Sequence, residues 1–371
     1  MAEYPKPHLP RPVERRGFLK AMLAVPGLVS GFCLNRTALL PRNALPSWTF
    51  QAPGSKESSA GPITSNADFF VRNHFRTPQT AADSWNLQVD GLVSSPLKLS
   101  YSDILLMSSE RRPLTMECAG NLSGGIGVGN AVWSGLRLEE LLKQAAPASG
   151  ATTVVLHGAD TGDGEGVPPN THFARAIPLQ KATDGSTLLA YEMNGSPLPP
   201  EHGFPLRALV AGWYGMDSVK WLARIELLDH PFQGYFQQKL YLANSSHHDP
   251  RPVTRMLVNS KFLRPSDNEE IHGKTYRIEG VAWAGEQKIM KVELRMSPDE
   301  KWRTVTLATP AAPMTWIRWT HDWPVPGPGK YTLEVRATDD AGQLQPDSRD
   351  PDRQDAYELN TPHRISVTVK S

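Results

Sequence analysis

A single cysteine stands in the segment TMECAGN, residues 115–121, just before a run of glycines. The chain has one other cysteine, Cys33, near its start. A thiolate followed by small residues can bind a soft or high-valent transition metal, because the small neighbours let a bulky cofactor approach. The alternative is a buried structural cysteine that packs as a small apolar residue. Cys118 is therefore a candidate metal ligand whose assignment depends on other motifs.

A second group of candidates consists of cationic and polar side chains embedded among apolar residues in three separate segments. They are Arg72, Asn73 and His74 in FFVRNHF, His202 and Arg207 in EHGFPLR, and Ser218, Val219 and Lys220 in MDSVKW. Guanidinium and ammonium groups are costly to bury without anionic partners. If the fold brings these segments together, an anion belongs among them. If it does not, each is an ordinary surface pair or capped loop.

The elements that must position these residues change in character along the chain. Between residues 66 and 249, WNLQVDGLV alternates as a strand, LRLEELLKQA has helical spacing, and ATTVVLHGAD is typical of a buried strand. Between residues 250 and 371, Pro, Gly and Asp turns separate TYRIEGVAWAG, IMKVELRMS, MTWIRW, KYTLEVRATD and HRISVTVK, with no helical segment. The sequence thus predicts an α+β domain followed by a β-sandwich.

The first 65 residues are expected to be an export signal and a linker. Arg15 and Arg16 precede an apolar stretch over residues 21–34, which resembles a twin-arginine signal. An anchor helix or a basic tail is the alternative, but the stretch is short for spanning a bilayer and contains Pro26. We predict a signal over 1–45, a linker over 46–65 and a periplasmic location. Cys33 would leave with the signal, so the mature chain would keep one unpaired thiol, Cys118.

The charge balance argues against a surface built to hold nucleic acid. The chain has 39 Lys and Arg residues against 38 Asp and Glu residues, a formal net charge of +1. Any cationic site must therefore be local. Neither a nucleic acid nor a membrane is expected as a partner.

Several motifs resemble the molybdopterin-dependent sulfite oxidase family, in the family's own order: FFVRNH, ECAGN, LLAYEMNGSPLPPEHGFPLRALV and SVKWL. RIEGVAWAGE and VRATDDAGQLQPD resemble the C-terminal dimerisation domain of that family. The resemblance covers residue 66 to the end. It implies a sulfite-oxidase-like molybdopterin-binding domain over 66–249, an immunoglobulin-like β-sandwich dimerisation domain over 250–371, and a homodimer.

The resemblance also implies roles for individual residues. Cys118 takes the place of the one protein ligand to molybdenum in a molybdopterin cofactor. The positions that match those holding the pterin and its phosphate are Phe70, Val71, Arg72, Asn73, His74, Asp160, His202, Arg207, Ser218, Val219 and Lys220. Arg72 also resembles the arginine that faces the substrate oxyanion. Tyr241 matches by spacing the active-site tyrosine, and the alternative for it is a strand-packing role.

The implied activity is oxidation of sulfite to sulfate by oxygen-atom transfer. No Cys-x-x-Cys-His motif is present for haem attachment, so electrons would leave to a separate c-type cytochrome or haem subunit. The substrate pocket departs from the animal members, which have two arginines where this chain has Leu122 and Ser123, and whose C-terminal pocket arginine has Arg353 as its nearest counterpart. Two alternatives remain: a periplasmic sulfoxide reductase of the same superfamily, which lacks the sandwich, and a non-enzymatic exported binding protein.

Overall fold

The computed structural model describes residues 62–164, 167–246, 249–297, 301–308 and 311–371. The predicted export signal, 1–45, and most of the predicted linker lie outside the described residues. Within the described ranges, no helix is long and apolar enough to cross a membrane. Residues 62–371 belong to one compact unit.

Short strands with brief helices between them make up the first part of the described chain. The elements are β1 (Asn86–Gly91), β2 (Leu97–Ser100), α1 (Tyr101–Leu106), β3 (Glu110–Glu117), β4 (Val128–Arg137), α2 (Leu138–Ala145), β5 (Thr153–Gly164), β6 (Val167–Pro178), α3 (Leu179–Ala182), β7 (Leu188–Met193), β8 (Ser196–Pro197), β9 (Arg207–Leu209), β10 (Leu222–Leu228), α4 (Tyr235–Gln238), β11 (Leu242–Ala243) and β12 (Arg251–Pro252). Single 3-10 turns lie at Pro200–His202 and Gly215–Asp217.

Two sheets organise this part. One has the order β2-β1-β10-β5-β6, and the other runs β3-β4-β7-β8 with β9 also paired to β7. In β1 the side chains of Leu87 and Val89 are fully buried while Gln88 between them is exposed, as the two-residue period of a strand requires. Helix α2 buries Leu138, Leu142 and Ala145 on one face, which is the spacing of an amphipathic helix.

The second part contains strands only, within the described residues. They are β13 (Asn259–Arg264), β14 (Glu269–Ile271), β15 (Thr275–Trp283), β16 (Ile289–Met296), β17 (Arg303–Thr304), β18 (Thr306–Leu307), β19 (Ile317–Pro324), β20 (Gly329–Asp339) and β21 (His363–Val369). The sheets β13-β15-β19-β18 and β14-β21-β20-β16-β17 enclose a common apolar core. The predicted α+β domain followed by a β-sandwich is confirmed.

The two parts share packing at their junction. β12 pairs with β11 across the predicted boundary at residue 250, and Trp283 and Trp316 of the sandwich pack in the main core of the first part. Residues 62–65 were predicted to be linker. Instead, Thr64 N–H donates to the Asn130 carbonyl at 2.8 Å, and Pro62 O accepts the Trp316 indole N–H at 3.1 Å. The sandwich therefore packs against the first part close to Tyr241, which immediately precedes β11.

Candidate active site

A cavity with about 640 Å³ of empty space, part of it open to solvent, lies where loops from both sheets of the first part meet. It is lined by Phe69, Phe70, Arg72, Asn73, His74, Met116, Cys118, Ala119, Asp160, Phe173, His202, Arg207, Gly215, Met216, Ser218, Lys220, Trp221 and Tyr241. These residues come from the segment before β1, the end of β3, strands β5, β6 and β9, and the loops before β10 and β11. The fold thus unites segments that are far apart in sequence.

Arg207, the first residue of β9, is a fully buried cation without a carboxylate partner in the described part of the chain. Its Nη1 donates to the His202 carbonyl at 2.9 Å and its Nη2 donates to the Ser218 carbonyl at 3.1 Å. Its Nε has no hydrogen-bond partner. Burial lowers the pKa of Arg207 from 12.5 to about 9, and no neighbouring carboxylate raises it. This guanidinium is charged, desolvated and available to an anion.

Lys220 adds a second cation to the same wall. Its ammonium group donates to Asn73 Oδ1 and, at 2.8 Å, to the Glu201 carbonyl. Burial, followed by repulsion from Arg207, lowers the pKa of Lys220 to about 7. An anion bound between the two cations would restore the charged form of the lysine.

Asp160, in β5, is the acidic side chain of the cavity lining. Its Oδ1 is buried and has no hydrogen-bond partner. Burial raises the pKa of Asp160 to about 6, although Lys220 counteracts part of that effect. A buried carboxylate oxygen without a donor is ready to accept a hydrogen bond from a ligand N–H group.

Tyr241 and His74 form a hydrogen-bonded pair in the same cavity lining. His74 Nε2 lies 2.5 Å from the Tyr241 hydroxyl, and the His74 ring stacks on Phe173 at 4.3 Å between centroids. Burial, followed by the charges of Arg72 and Lys220, lowers the pKa of His74 to about 3, while burial raises the pKa of Tyr241. Both groups are therefore neutral at pH 7.

A buried ion pair, Arg175 with Asp217, lies next to the Tyr241–His74 pair. Arg175, in β6, donates from Nε to Asp217 Oδ1 at 2.8 Å, and both side chains are almost completely buried. The Arg175 guanidinium lies 5.5 Å from the centre of the Tyr241 ring. The same arginine also donates to the Phe236 carbonyl at 2.5 Å. It therefore connects the loop that holds Ser218 to the ring of Tyr241.

Cys118 follows the last residue of β3 and is half-buried at the cavity surface. Its backbone N–H donates to the Gly127 carbonyl at 2.8 Å, and its carbonyl accepts the Asn121 N–H at 2.9 Å. Burial raises the pKa of the Cys118 thiol. No group of three or more His, Cys, Asp and Glu side chains that could hold a metal was found among the described residues.

Glu117, beside Cys118, ties the cysteine loop to the sandwich. Its fully buried carboxylate accepts hydrogen bonds from Asn121 Nδ2 at 3.0 Å, Asn259 Nδ2 at 3.2 Å and Trp283 Nε1 at 2.9 Å. Burial raises the pKa of Glu117 to about 7, and these three hydrogen bonds limit the increase. The loop that carries Cys118 is therefore held from both parts of the fold.

Two cavity residues adopt backbone conformations that are unfavourable for them. Trp221 has φ 49° and Tyr241 has φ 57°, in the left-handed region that non-glycine residues rarely occupy. Such conformations cost about 1–3 kcal/mol each and persist only where the surrounding structure imposes them. Their occurrence at two cavity-lining aromatic residues indicates that the fold directs these side chains into the site.

The structure brings most of the predicted site residues together. Cys118, Phe70, Arg72, Asn73, His74, Asp160, His202, Arg207, Ser218, Lys220 and Tyr241 all line the cavity. The side chains of Val71 and Val219 do not: Val71 is 49% exposed, and Val219 is fully buried in the main core. A ligand could reach Val219 only through its backbone. Arg353 also lies outside the cavity lining, because its guanidinium is bound to Asp355 and Glu358.

Sequence reasoning missed several residues of the lining and its support. Met116, Phe173, Met216 and Trp221 line the cavity, and Arg175 and Asp217 lie directly behind it. Most of these are apolar residues whose patterns are those of ordinary core positions. The one available signal was Arg175, an arginine in the otherwise apolar run FARAIP.

The donor set fits a molybdopterin cofactor. The buried Arg207 and the half-buried Lys220 match a phosphate group, and the orphaned Asp160 Oδ1 matches a pterin N–H donor. Gly203, with φ +111°, gives the two cations room, since a Cβ there would come within 3.0 Å of Arg207 Cβ and 3.1 Å of Lys220 Cβ. A thiol, Cys118, completes the lining as a soft metal ligand.

Two family models match the chain. Residues 74–236 match the oxidoreductase molybdopterin binding domain, and residues 251–369 match the Mo-co oxidoreductase dimerisation domain. The chain is 30% identical over 322 residues to mitochondrial sulfite oxidase of Homo sapiens, covering 78% of this chain and 58% of that protein. It is also 30% identical over 287 residues to an NADPH nitrate reductase of Aspergillus niger, covering 67% of this chain and 32% of that protein. The chain thus spans less than two thirds of these relatives.

Among solved structures, the sulfane dehydrogenase SoxCD from Paracoccus pantotrophus has a similar fold. The TM-score is 0.74 at 24% sequence identity, and the match covers 84% of each chain. At this identity the likeness concerns the fold alone.

Proposed function

Because the chain belongs to the sulfite oxidase family of molybdopterin-dependent oxidoreductases, we propose that it oxidises sulfite to sulfate and passes the electrons to an external cytochrome. The observation that carries this proposal is one cavity that contains a thiol, an exposed arginine, a neutral tyrosine–histidine pair and two further cations, Arg207 and Lys220. Family membership makes the chain an oxidoreductase, which removes the alternative of a non-enzymatic binding protein. The match of residues 251–369 to the dimerisation domain speaks against a sulfoxide reductase without the sandwich.

The chain's own residues divide into two groups by role. Arg207 and Lys220 would hold the phosphate of the cofactor, Asp160 and His202 its pterin, and Cys118 its molybdenum. When bound, the cofactor supplies the two-electron redox chemistry and the transfer of an oxygen atom to sulfur. Arg72 and the Tyr241–His74 pair remain for the substrate.

Arg72 supplies charge for substrate binding. Its side chain is exposed and lines the cavity, so a small oxyanion can approach its guanidinium from solvent. The other cations of the wall, Arg207 and Lys220, would be neutralised by the phosphate. Arg72 is then the residue that attracts the substrate anion.

Tyr241 and His74 act as an oriented hydrogen-bonding pair and not as a general base. His74 with a pKa of about 3 does not take up a proton at pH 7, and the raised pKa of Tyr241 keeps its phenol protonated. The 2.5 Å hydrogen bond between them fixes the position of the hydroxyl group near Arg72 and Cys118. The hydroxyl would orient a substrate oxygen while water supplies the oxygen atom that appears in sulfate.

The test is steady-state turnover of purified, cofactor-loaded protein. Sulfite should reduce ferricyanide or cytochrome c, and nitrate and methionine sulfoxide should not be reduced by the chemically reduced protein. Turnover of nitrate or the sulfoxide with none of sulfite would contradict the proposal. A Cys118→Ala control should abolish turnover in either case.

We also propose that the protein is exported by the twin-arginine route to the periplasm and works as a homodimer through residues 251–369. The motif at Arg15 and Arg16 supports export, and the match to the dimerisation domain supports the dimer. Replacing both arginines by lysine should retain the protein in the cytoplasm. Light scattering should give twice the mass of the processed chain.

A further inference from the structure

One segment of the second part, residues 353–358, contacts the segments of the first part that carry Cys118 and Tyr241. Its fold depends on Arg353, whose guanidinium binds Asp355 at 2.8 Å and Glu358 at 3.0 Å. Asp355 Oδ1 also accepts the Tyr357 N–H at 2.9 Å. Burial alone would raise the pKa of Asp355, but the hydrogen bonds from Arg353 and the backbone lower it to about 2. The segment is therefore a closed loop around an ion-paired arginine.

Direct hydrogen bonds fasten this loop to the elements that hold the site. Asn244 N–H donates to Asp355 Oδ2 at 2.8 Å, three residues after Tyr241. Glu358 N–H donates to the Ala119 carbonyl at 3.1 Å, one residue after Cys118. The Glu358 carboxylate is further held by Arg251, at 3.0 Å from Nη1. The loop thus bridges the two segments that carry the thiol and the tyrosine.

These contacts place Tyr357 against Tyr241. The two ring centroids lie 5.3 Å apart at an interplanar angle of 37°, and the Tyr357 side chain is half-buried. Glu358 has φ 56°, so the backbone turns through an unfavourable conformation directly after Tyr357, as it does at Tyr241 itself. Unfavourable backbone conformations at Tyr241 and directly after Tyr357 indicate that the fold imposes the position of this aromatic pair.

We propose that Tyr357 is a positioning residue for substrate specificity: it packs against Tyr241 from outside the cavity lining and fixes the Tyr241 ring, which sets the width of the substrate site beside Cys118 and Arg72. The inference rests on the proposed function, since it assumes that a sulfur oxyanion binds there. Arg353 is held in the loop by Asp355 and Glu358, two carboxylates that also pair with Arg349 and Arg251, and it does not line the cavity. Arg72 then attracts the substrate anion, and the ring of Tyr241, held in place by Tyr357, limits how large a group the sulfur can carry.

The test compares two substrates of different width, sulfite and methanesulfinate. Each sulfur gains one S–O bond to an oxygen atom from water, no bond to carbon breaks, and two protons and two electrons are released, the electrons to two ferricyanide ions. Removing the ring in Tyr357→Ala should raise the ratio of kcat/KM for methanesulfinate to that for sulfite about tenfold, because the site then admits the methyl group. Tyr357→Phe should leave this ratio unchanged.

Tyr331→Ala serves as the matched control. Tyr331 is also half-buried and its ring lies 5.3 Å from an aromatic partner, Trp323, but it lies in the sandwich away from the cavity. This variant should keep the wild-type substrate ratio. If Tyr357→Ala fails to fold, Tyr357→Leu keeps apolar volume and should raise the ratio in the same direction. An unchanged ratio in a folded Tyr357→Ala or Tyr357→Leu variant would overturn the proposal.

A second readout is independent of turnover and separates this inference from the proposed function. In the cofactor-free protein, the rate at which iodoacetamide alkylates Cys118 can be followed by peptide mass spectrometry. Tyr357→Ala should accelerate it several-fold, because the Tyr241 ring loses its packing partner and can move away from the cavity that contains the thiol, and Tyr357→Phe should not. If the protein oxidises neither substrate, the proposed function fails; an unchanged alkylation rate in Tyr357→Ala would overturn the placement of Tyr357 itself.

Discussion

Two buried arginines of the same domain should respond in opposite ways to the same substitution. Arg175 has its carboxylate partner, Asp217, at 2.8 Å, whereas Arg207 has carbonyl and sulfur hydrogen-bond partners, a contact with the Trp133 ring and one unbonded Nε. Replacing either one by methionine removes the charge and keeps most of the volume. If the role of Arg207 is to bind the phosphate of the cofactor, the cofactor-free protein should tolerate Arg207→Met and not Arg175→Met.

The magnitudes follow from the environments. The fall in the pKa of Arg207 from 12.5 to about 9 corresponds to roughly 5 kcal/mol of lost stability in the charged state, since one pKa unit is about 1.4 kcal/mol. Because the folded pKa is the lower one, this penalty is fully present at pH 7. Removing the side chain leaves two buried carbonyl groups without donors, which costs about 1–3 kcal/mol each. Arg207→Met should therefore be within about 1 kcal/mol of wild type or more stable, whereas breaking the Arg175 pair should cost about 3–5 kcal/mol.

The assay is urea unfolding of cofactor-free protein, purified from a host that does not make the cofactor, with and without sulfate as a phosphate-like anion. Sulfate should stabilise the wild type by about 1–3 kcal/mol through binding, and most of this increment should vanish in Arg207→Met. The residual increment in that variant measures the general effect of sulfate on stability. Arg207→Met losing more than about 3 kcal/mol, or keeping the whole sulfate effect, would refute the reasoning.

Three further predictions concern the same cavity. Gly203→Ala should reduce the sulfate effect by at least half, because the new Cβ displaces Arg207 and Lys220, whereas Gly195→Ala, which has a similar positive φ but open space around it, should not. The sulfate effect should also weaken as the pH rises from 6 to 8, because Lys220, with a pKa of about 7 in the anion-free protein, loses its proton. The stability of the anion-free protein itself should rise between this folded pKa and the unfolded value of 10.5, because the unfolded chain then binds more protons at this lysine. In the loaded enzyme, Tyr241→Phe should lower kcat about 100-fold without changing the molybdenum content, by loss of the hydroxyl that orients the substrate; an unchanged kcat would remove Tyr241 from the mechanism.

The sequence predicted the elements that have a clear period. β1, β5, β16 and β20 lie where alternating or apolar runs stand, and α2 covers the segment with helical spacing. The end of the predicted linker was wrong. Thr64 and its neighbours are polar and proline-containing, and only the hydrogen bonds to Asn130 and Trp316 show that they are part of the fold.

The candidate site was predictable where residue types are unusual and not where they are ordinary. Arg207 and Lys220 stand out because cations are costly among apolar neighbours. Phe173 and Trp221 are indistinguishable from core residues in the sequence, since their contribution depends on which loops meet. Tyr357 lies in a turn-rich segment more than 100 residues after Tyr241, and no periodicity connects the two. Arg353 was the nearest counterpart of a pocket arginine in the sequence. In the structure it instead binds Asp355 and Glu358 and so holds the loop that carries Tyr357.

The most direct test of the account is the number of sulfur ligands at molybdenum in wild-type protein and in Cys118→Ser, from X-ray absorption at the metal edge. Both proteins should load the cofactor, because Arg207, Lys220 and Asp160 are untouched. The serine variant should show one sulfur neighbour fewer than the wild type. Equal sulfur counts in the two loaded proteins would mean that Cys118 does not bind the metal, and the assignment of this cavity as the active site would be contradicted.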